Sequence, residues 1–308
     1  MRPITMAIVG VGKIASSQHA PTIARDTRFR LAATASEAGS FSGVPAFGSL
    51  EALLRDGPAI DAVAICTPPQ SHELLARQAI AAGLHVLLEK PPAITALGLE
   101  GLKRDAAARG TTLFAAWHSR YTPGMDAGRS WLAAHRLTAG RIVWREDVRR
   151  WHPGQMWLWE PGGLGVFDSG INALSMISGL TAAPPSVLEA HFDVPLNAHT
   201  PIGAKVKLQL CGAPVDIDLD FRQQGPQTWN IDLEAEGGHT LALNMGGTSL
   251  ETEPAGDTNT LAAEYARLYG QFAQLVADRA SDADGVPLQL VADAFMVARI
   301  RRVEAFNY

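Results

Sequence analysis

Cysteine is almost absent from this chain: 308 residues hold two, Cys66 and Cys211, with no C-x-x-C spacing. That excludes a disulfide framework and a cysteine-ligated zinc site, and both read as buried thiols in a reducing compartment. A basic excess is missing too. Lysine and arginine total 26 against 31 acidic residues, a net charge of −5. With no basic stripe either, nucleic acid and anionic membranes are not expected partners. No apolar run reaches the length of a membrane span. Met1 to Thr5 leads straight into a strand-like run, with no room for a signal peptide. The expectation is a soluble, cytoplasmic protein. No internal repeat or low-complexity linker interrupts it, and the length suffices for two domains.

What is present is an alternation of apolar runs and helix-like segments over the first third. "ITMAIVG" stops at Gly10, and the pattern returns in "LAATAS" (31–36), "AVAICT" (62–67), "LHVLLEK" (84–90) and "TLFAAWH" (112–118). Between them, segments 71–82 and 95–108 open on Ser71 and Thr95, residues able to cap a first helical turn. Near-continuous apolar strands separated by helices predict a doubly wound parallel sheet of the Rossmann type, covered on both faces. Ligands of such sheets bind beyond the carboxyl ends of the strands. Glu89 and Lys90 end the fourth of these runs and are expected to face that cleft, with Pro91 and Pro92 stiffening the backbone behind them.

The first turn, "GVGKIA", has the dinucleotide-binding form with alanine in the last glycine position. Gly10 permits the tight turn, Gly12 lets a pyrophosphate approach the backbone, and Ala15 allows close helix–strand packing. Lys13 and Ile14 then open a helix whose unpaired N–H groups favour negative charge. Strand two ends in "TASEAG", where Glu37 is placed to accept from the ribose hydroxyls of NAD. The bland alternative is that Glu37 points to water.

The rest of the chain follows another rule. "KVKLQL", "VDIDLDF" and "WNIDLEA" alternate with period two, the pattern of a largely antiparallel sheet with one covered face. Asp216, Asp218 and Asp220 fall on the wetter face and read as solvated positions, so no metal is expected. Two amphipathic helices close the chain, one carrying Leu261, Tyr265, Leu268, Phe272 and Leu275, the other Val291, Phe295 and Ala298. Trp144, Trp151, Trp157 and Trp159 crowd into sixteen positions. Either they pack a core, or they offer flat faces to a sugar ring whose hydroxyls His118, Glu146 and His152 bind. "DSGINAL" places Asp168 as the N-cap of a helix and Asn172 four residues on, along the same face.

A glycine-turn domain, a lysine in E-K-P and an open antiparallel sheet, in that order, resemble the glucose–fructose oxidoreductase and inositol dehydrogenase (Gfo/Idh/MocA) family along essentially the whole chain. The resemblance implies an N-terminal NAD(P)-binding Rossmann domain over 1–119 and a substrate-binding α+β domain over 120–308. "EKPPAIT" is similar to the family signature, in which the lysine reaches nicotinamide and substrate and the bond before the first proline is commonly cis. "TPPQSH" is similar to the loop beside the cofactor. The implied cofactor-binding set is Gly10, Gly12, Lys13, Ile14, Ser36, Glu37, Thr67, Pro68, Pro69, Gln70, His72, Glu89 and Lys90. Ser36 matches half of a serine–arginine pair associated with NADP, whereas Glu37 would repel the 2′-phosphate. Both cofactors are therefore expected, with NAD favoured.

"WHSRY" and "EDVRRWHPGQMWLWEPGGLGVFDSGINAL" resemble the family's aldose 1-dehydrogenases acting on L-arabinose or D-galactose. That implies a small-molecule aldose oxidised at its anomeric carbon to the aldonolactone. Lys90 and Asp168 are the implied catalytic residues. His118, Glu146, Trp151, His152, Asn172 and Trp229 join them in binding the sugar. Where the family usually has histidine four residues after the aspartate, this chain has Asn172, which cannot take a proton at neutral pH. The base is then Asp168 or Lys90. A homo-oligomer through the C-terminal sheet is also expected. Two other classes stand beside this one: a cyclic-polyol dehydrogenase of the same family, and a non-catalytic NAD(P)-binding regulator.

Overall fold

The computed structural model describes residues 2–250 and 260–307. They form two compact units, Met1–His118 with Leu261–Gly285 and Ser119–Thr260 with Val286–Tyr308.

Six strands build the first unit's sheet: β1 Ile4–Val9, β2 Phe29–Ala35, β3 Ala46–Phe47, β4 Ala62–Ile65, β5 His85–Glu89 and β6 Leu113–Ala116. All pairings are parallel, in the order β3-β2-β1-β4-β5-β6. Met6, Ala7, Ile8, Val63, Ala64, Leu87 and Leu88 are wholly buried, as strands covered on both faces require. The two-residue β3 is too short to show a period and is absent from the sequence reading. Strand order reverses between β1 and β4, so their carboxyl ends flank the crevice where such sheets hold ligands. Gly10 follows β1 directly, and Thr67 comes two residues after β4.

The expected helices are present over His72–Ala81 and Ala96–Arg109. Thr95 caps the second by accepting from the Gly98 N–H, but Ser71 does not cap the first. Its hydroxyl is turned back, donating to Thr67 Oγ1 at 2.7 Å and the Pro68 carbonyl at 2.9 Å. One boundary also differs. The helix Thr260–Asp278 was assigned from sequence to the second domain, yet its Leu261–Asp278 part belongs to the first unit. Its aromatic face supplies the reason: Phe272 stacks between Phe29 and Phe114, at 6.3 and 6.0 Å between ring centroids.

The second unit is a mixed sheet of eight strands: β7 Leu137–Arg145, β8 Ser186–Pro195, β9 Gly203–Leu210, β10 Ala213–Asp220, β11 Thr228–Ala235, β12 Thr240–Asn244, β13 Ser249–Leu250 and β14 Ala298–Val303. The order is β13-β12-β11-β7-β10-β9-β8-β14, antiparallel except for β7 with β10 and β8 with β14. Alternation holds as expected. Val215, Ile217 and Leu219 are buried, while Asp218 pairs with Arg145 and Asp220 with Arg222 on the other face. The chain does not close on a helix. The helix Val286–Val297 ends at Val297, and Ala298 begins β14. No helix among the described residues is long and apolar enough to cross a membrane.

Candidate active site

The glycine turn is shaped by its neighbour. Gly10 has φ +89°, and a Cβ there would lie 2.7 Å from Thr67 Cγ2 and 2.9 Å from the Thr67 nitrogen, so no larger residue fits. At Gly12 a Cβ would meet nothing within 4 Å; the open space lies where a pyrophosphate would approach. Lys13 is exposed and Ile14 half-buried at the start of the helical segment, and Ala15 is wholly buried against the sheet. Ser36 Oγ accepts from the Val11 N–H at 3.1 Å and the Ala38 N–H at 3.2 Å. Ser36 therefore braces the turn, and Glu37 beside it is exposed. An open glycine, a helix start and an acidic group past strand two fit a dinucleotide.

In the adjoining loop Pro68 and Gln70 are exposed, Thr67 is half-buried and Pro69 is buried. His72 is not at the surface. Its ring nitrogens lie 2.9 Å from the Pro91 carbonyl and 2.7 Å from the Thr67 carbonyl, so it ties the loop to the segment after Lys90. Burial pushes its pKa below the usual imidazole value, against the pull of both carbonyls.

Lys90, half-buried at the end of β5, is joined to Pro91 by a cis peptide. Glu89 does not face the cleft, contrary to the sequence reading. It is buried, with Oε1 2.9 Å from His19 Nε2 and 2.5 Å from the Tyr265 hydroxyl. Strand alternation explains this: consecutive residues at a strand end point to opposite sides. His118 closes the first unit's main segment, its Nδ1 2.7 Å from Glu264 Oε2 and its ring stacked on Tyr265. His19, Glu264 and Tyr265 had no local signal, because their partners are far away in sequence.

The remaining expected sugar residues gather in the second unit. Glu146, just past β7, is buried and accepts from both sides: His152 Nε2 lies 2.9 Å from Oε1, and Trp229 Nε1 lies 3.0 Å from Oε2. His152 Nδ1 is 3.6 Å from Asp168 Oδ2. An imidazole thus sits between two carboxylates. Trp151 leans on Trp229 with ring centroids 5.3 Å apart. The tryptophans divide, because Trp144 and Trp159 are core residues while Trp151 and Trp157 are half-buried.

Asp168 is not an N-cap. The helix Phe167–Leu180 starts one residue earlier, with Val166 at the cap and no side-chain capping bond. Asp168 is nonetheless buried. Two residues on, Gly170 lets the helix lie on β10, since a Cβ there would come 2.5 Å from Leu219 Cδ1. The half-buried Asn172 makes no side-chain hydrogen bond among the described residues. Nor do these residues hold three His, Cys, Asp or Glu side chains grouped for a metal ion.

Residues 4–116 match the oxidoreductase family with an NAD-binding Rossmann fold, GFO_IDH_MocA. The chain is 43% identical over 311 aligned positions to galactose 1-dehydrogenase of Pseudomonas fluorescens, covering 99% of each. Among solved structures it is similar to a D-galactose-1-dehydrogenase from Rhizobium etli, with a TM-score of 0.92 and 43% identity over 100% of this chain and 99% of that one. A 3-ketoreductase from Actinomadura kijaniata in complex with NADP shares the fold, with a TM-score of 0.80 and 20% identity over 98% and 99% of the two chains.

Proposed function

The chain belongs to the Gfo/Idh/MocA oxidoreductase family, and from that premise we propose that it oxidises the anomeric carbon of D-galactose, L-arabinose and D-fucose to the aldonolactone. The observation carrying this proposal is the row Glu146–His152–Asp168, a half-buried imidazole between two buried carboxylates, with Trp151 and Trp229 beside it. Indole faces suit the C–H face of a pyranose, and the carboxylates accept from its hydroxyls. Glu146 is fixed by two protein donors, so its remaining lone pairs have a set direction.

A bound nicotinamide cofactor, held by the Gly10–Ile14 turn with Ser36, Glu37 and the Thr67–Gln70 loop, supplies the acceptor for hydride from C1. The chain's own residues manage the proton and the orientation. Asp168 accepts the C1 hydroxyl proton; its burial without a capping role supports that assignment. His152, within 3.6 Å of Asp168, stands in for the histidine that the family pattern places where this chain has Asn172. Lys90, which the family signature has reaching nicotinamide and substrate, acts as a cation that stabilises charge developing on a substrate oxygen.

D-Galactose, L-arabinose and D-fucose share the configuration of C2 to C4. D-Glucose differs at C4 and would leave buried polar groups unpaired. Rates of cofactor reduction across a panel of aldoses test this: the first three are oxidised and glucose is rejected. Equal efficiency on glucose and galactose would refute the proposal. NAD and NADP both serve, NAD better, because Glu37 repels a 2′-phosphate. A second copy docks through the eight-stranded sheet, whose edge strand β14 leaves Ile300 exposed.

A further inference from the structure

Immediately before Lys90 in the chain lies a buried polar cluster that the chemistry above does not use. The Glu89 carboxylate is its centre. Oε1 accepts from His19 Nε2 at 2.9 Å and from the Tyr265 hydroxyl at 2.5 Å; Oε2 accepts from the backbone N–H of Lys90 at 3.0 Å. His19 Nδ1 lies 2.8 Å from the Tyr269 hydroxyl. The side chains of His19 and Glu89 are 0% and 6% exposed. Burial works against the charged form of Glu89. The bond and charge of His19, with the bond from Tyr265, still hold its pKa down to about 2.

Such a cluster is an expensive way to fill space. Apolar side chains of similar volume would avoid the desolvation of a carboxylate and an imidazole. The second oxygen supplies a reason, because it holds the main chain at Lys90. Three segments converge on that one group: the helical stretch after the glycine turn brings His19, the Thr260–Asp278 helix brings Tyr265 and Tyr269, and β5 brings Glu89. The helical stretch after the glycine turn and the Lys90 backbone are therefore joined by one hydrogen-bond network.

We propose that His19 and Tyr265 are positioning residues for Lys90, acting through Glu89. Resting on the role given to Lys90 above, the inference names residues that touch neither sugar nor dinucleotide. A lysine whose backbone is loosened keeps its charge and loses its aim, and a displacement of about 1 Å costs about 100-fold in rate.

The test uses the full chain with Tyr265→Phe, His19→Gln and Lys90→Ala. Tyr265→Phe removes a single oxygen, so it decides the matter even if His19→Gln fails to fold. The expected result is a turnover number lowered about 10- to 100-fold, with the KM for sugar and the dinucleotide affinity near wild type. A second readout is the amide spectrum of lysine-labelled protein. Only Lys13, Lys90, Lys103, Lys205 and Lys207 contribute, and the Lys90 peak should shift and exchange faster. Folded variants with unchanged turnover and an unmoved Lys90 amide would overturn the inference, while Lys90→Ala still lost activity. Full activity in Lys90→Ala would instead remove the premise about Lys90 itself.

Discussion

Asp168 lies at the second position of its helix without a capping bond, with His152 Nδ1 3.6 Å from its carboxylate. The helix dipole favours an acid in this first turn, so turnover, not stability, tests its role. Asp168→Ala and Lys90→Ala are each expected to lower turnover about 100-fold or more, the typical cost of losing a positioned acid–base group. Circular dichroism should show both still folded. Asn172→Ala should raise the KM for sugar without abolishing turnover, since an amide has no proton to trade. Glu37→Arg should move the kcat/KM ratio toward NADP, because a guanidinium grips the 2′-phosphate. A native preference for NADP that this substitution left unmoved would remove Glu37 from the choice. The grouping of the candidate site was partly legible: Glu146, Trp151, His152 and Asp168 fall in one dense block, and Trp229 joins Glu146 from 83 positions away. His19 and Glu89 were not legible as a pair, because they meet across 70 residues with nothing periodic to link them.

At the scale of elements, the strands that announced themselves were those with long apolar runs or clean alternation. β3 has two residues, and β14 reads "ARIRRV", where exposed arginines hide the strand. The Leu261–Asp278 stretch was amphipathic in sequence, yet only the structure tells which core its apolar face enters. Two predictions belong here. Gly10→Ala would force a side chain into φ +89° against Thr67, costing about 1–3 kcal/mol and weakening dinucleotide binding, as titration calorimetry would report. The end of β5 gives a pH dependence. Glu89 titrates at about 2 when folded against an ordinary value of 4.5. Its contribution, about 3 kcal/mol, is therefore complete above the ordinary value and lost as pH falls toward 2. Denaturant midpoints should decline through that acid window, and more shallowly in Glu89→Gln.

At the scale of the whole molecule, one unit carries the glycine turn and Lys90, and the other carries the Glu146–His152–Asp168 row proposed to bind sugar. Light scattering in solution should give a multiple of the chain mass, reduced by Ile300→Asp on the exposed edge strand β14. A monomer at all concentrations would withdraw that docking face and leave the chemistry untouched. The central claim is oxidation at the anomeric carbon, and isotope transfer tests it most directly. D-Galactose carrying deuterium at C1 should pass the label to C4 of the nicotinamide, slow the reaction relative to unlabelled sugar, and yield the galactonolactone. Deuterium kept in the sugar, with a carbonyl formed at another ring carbon, would contradict it.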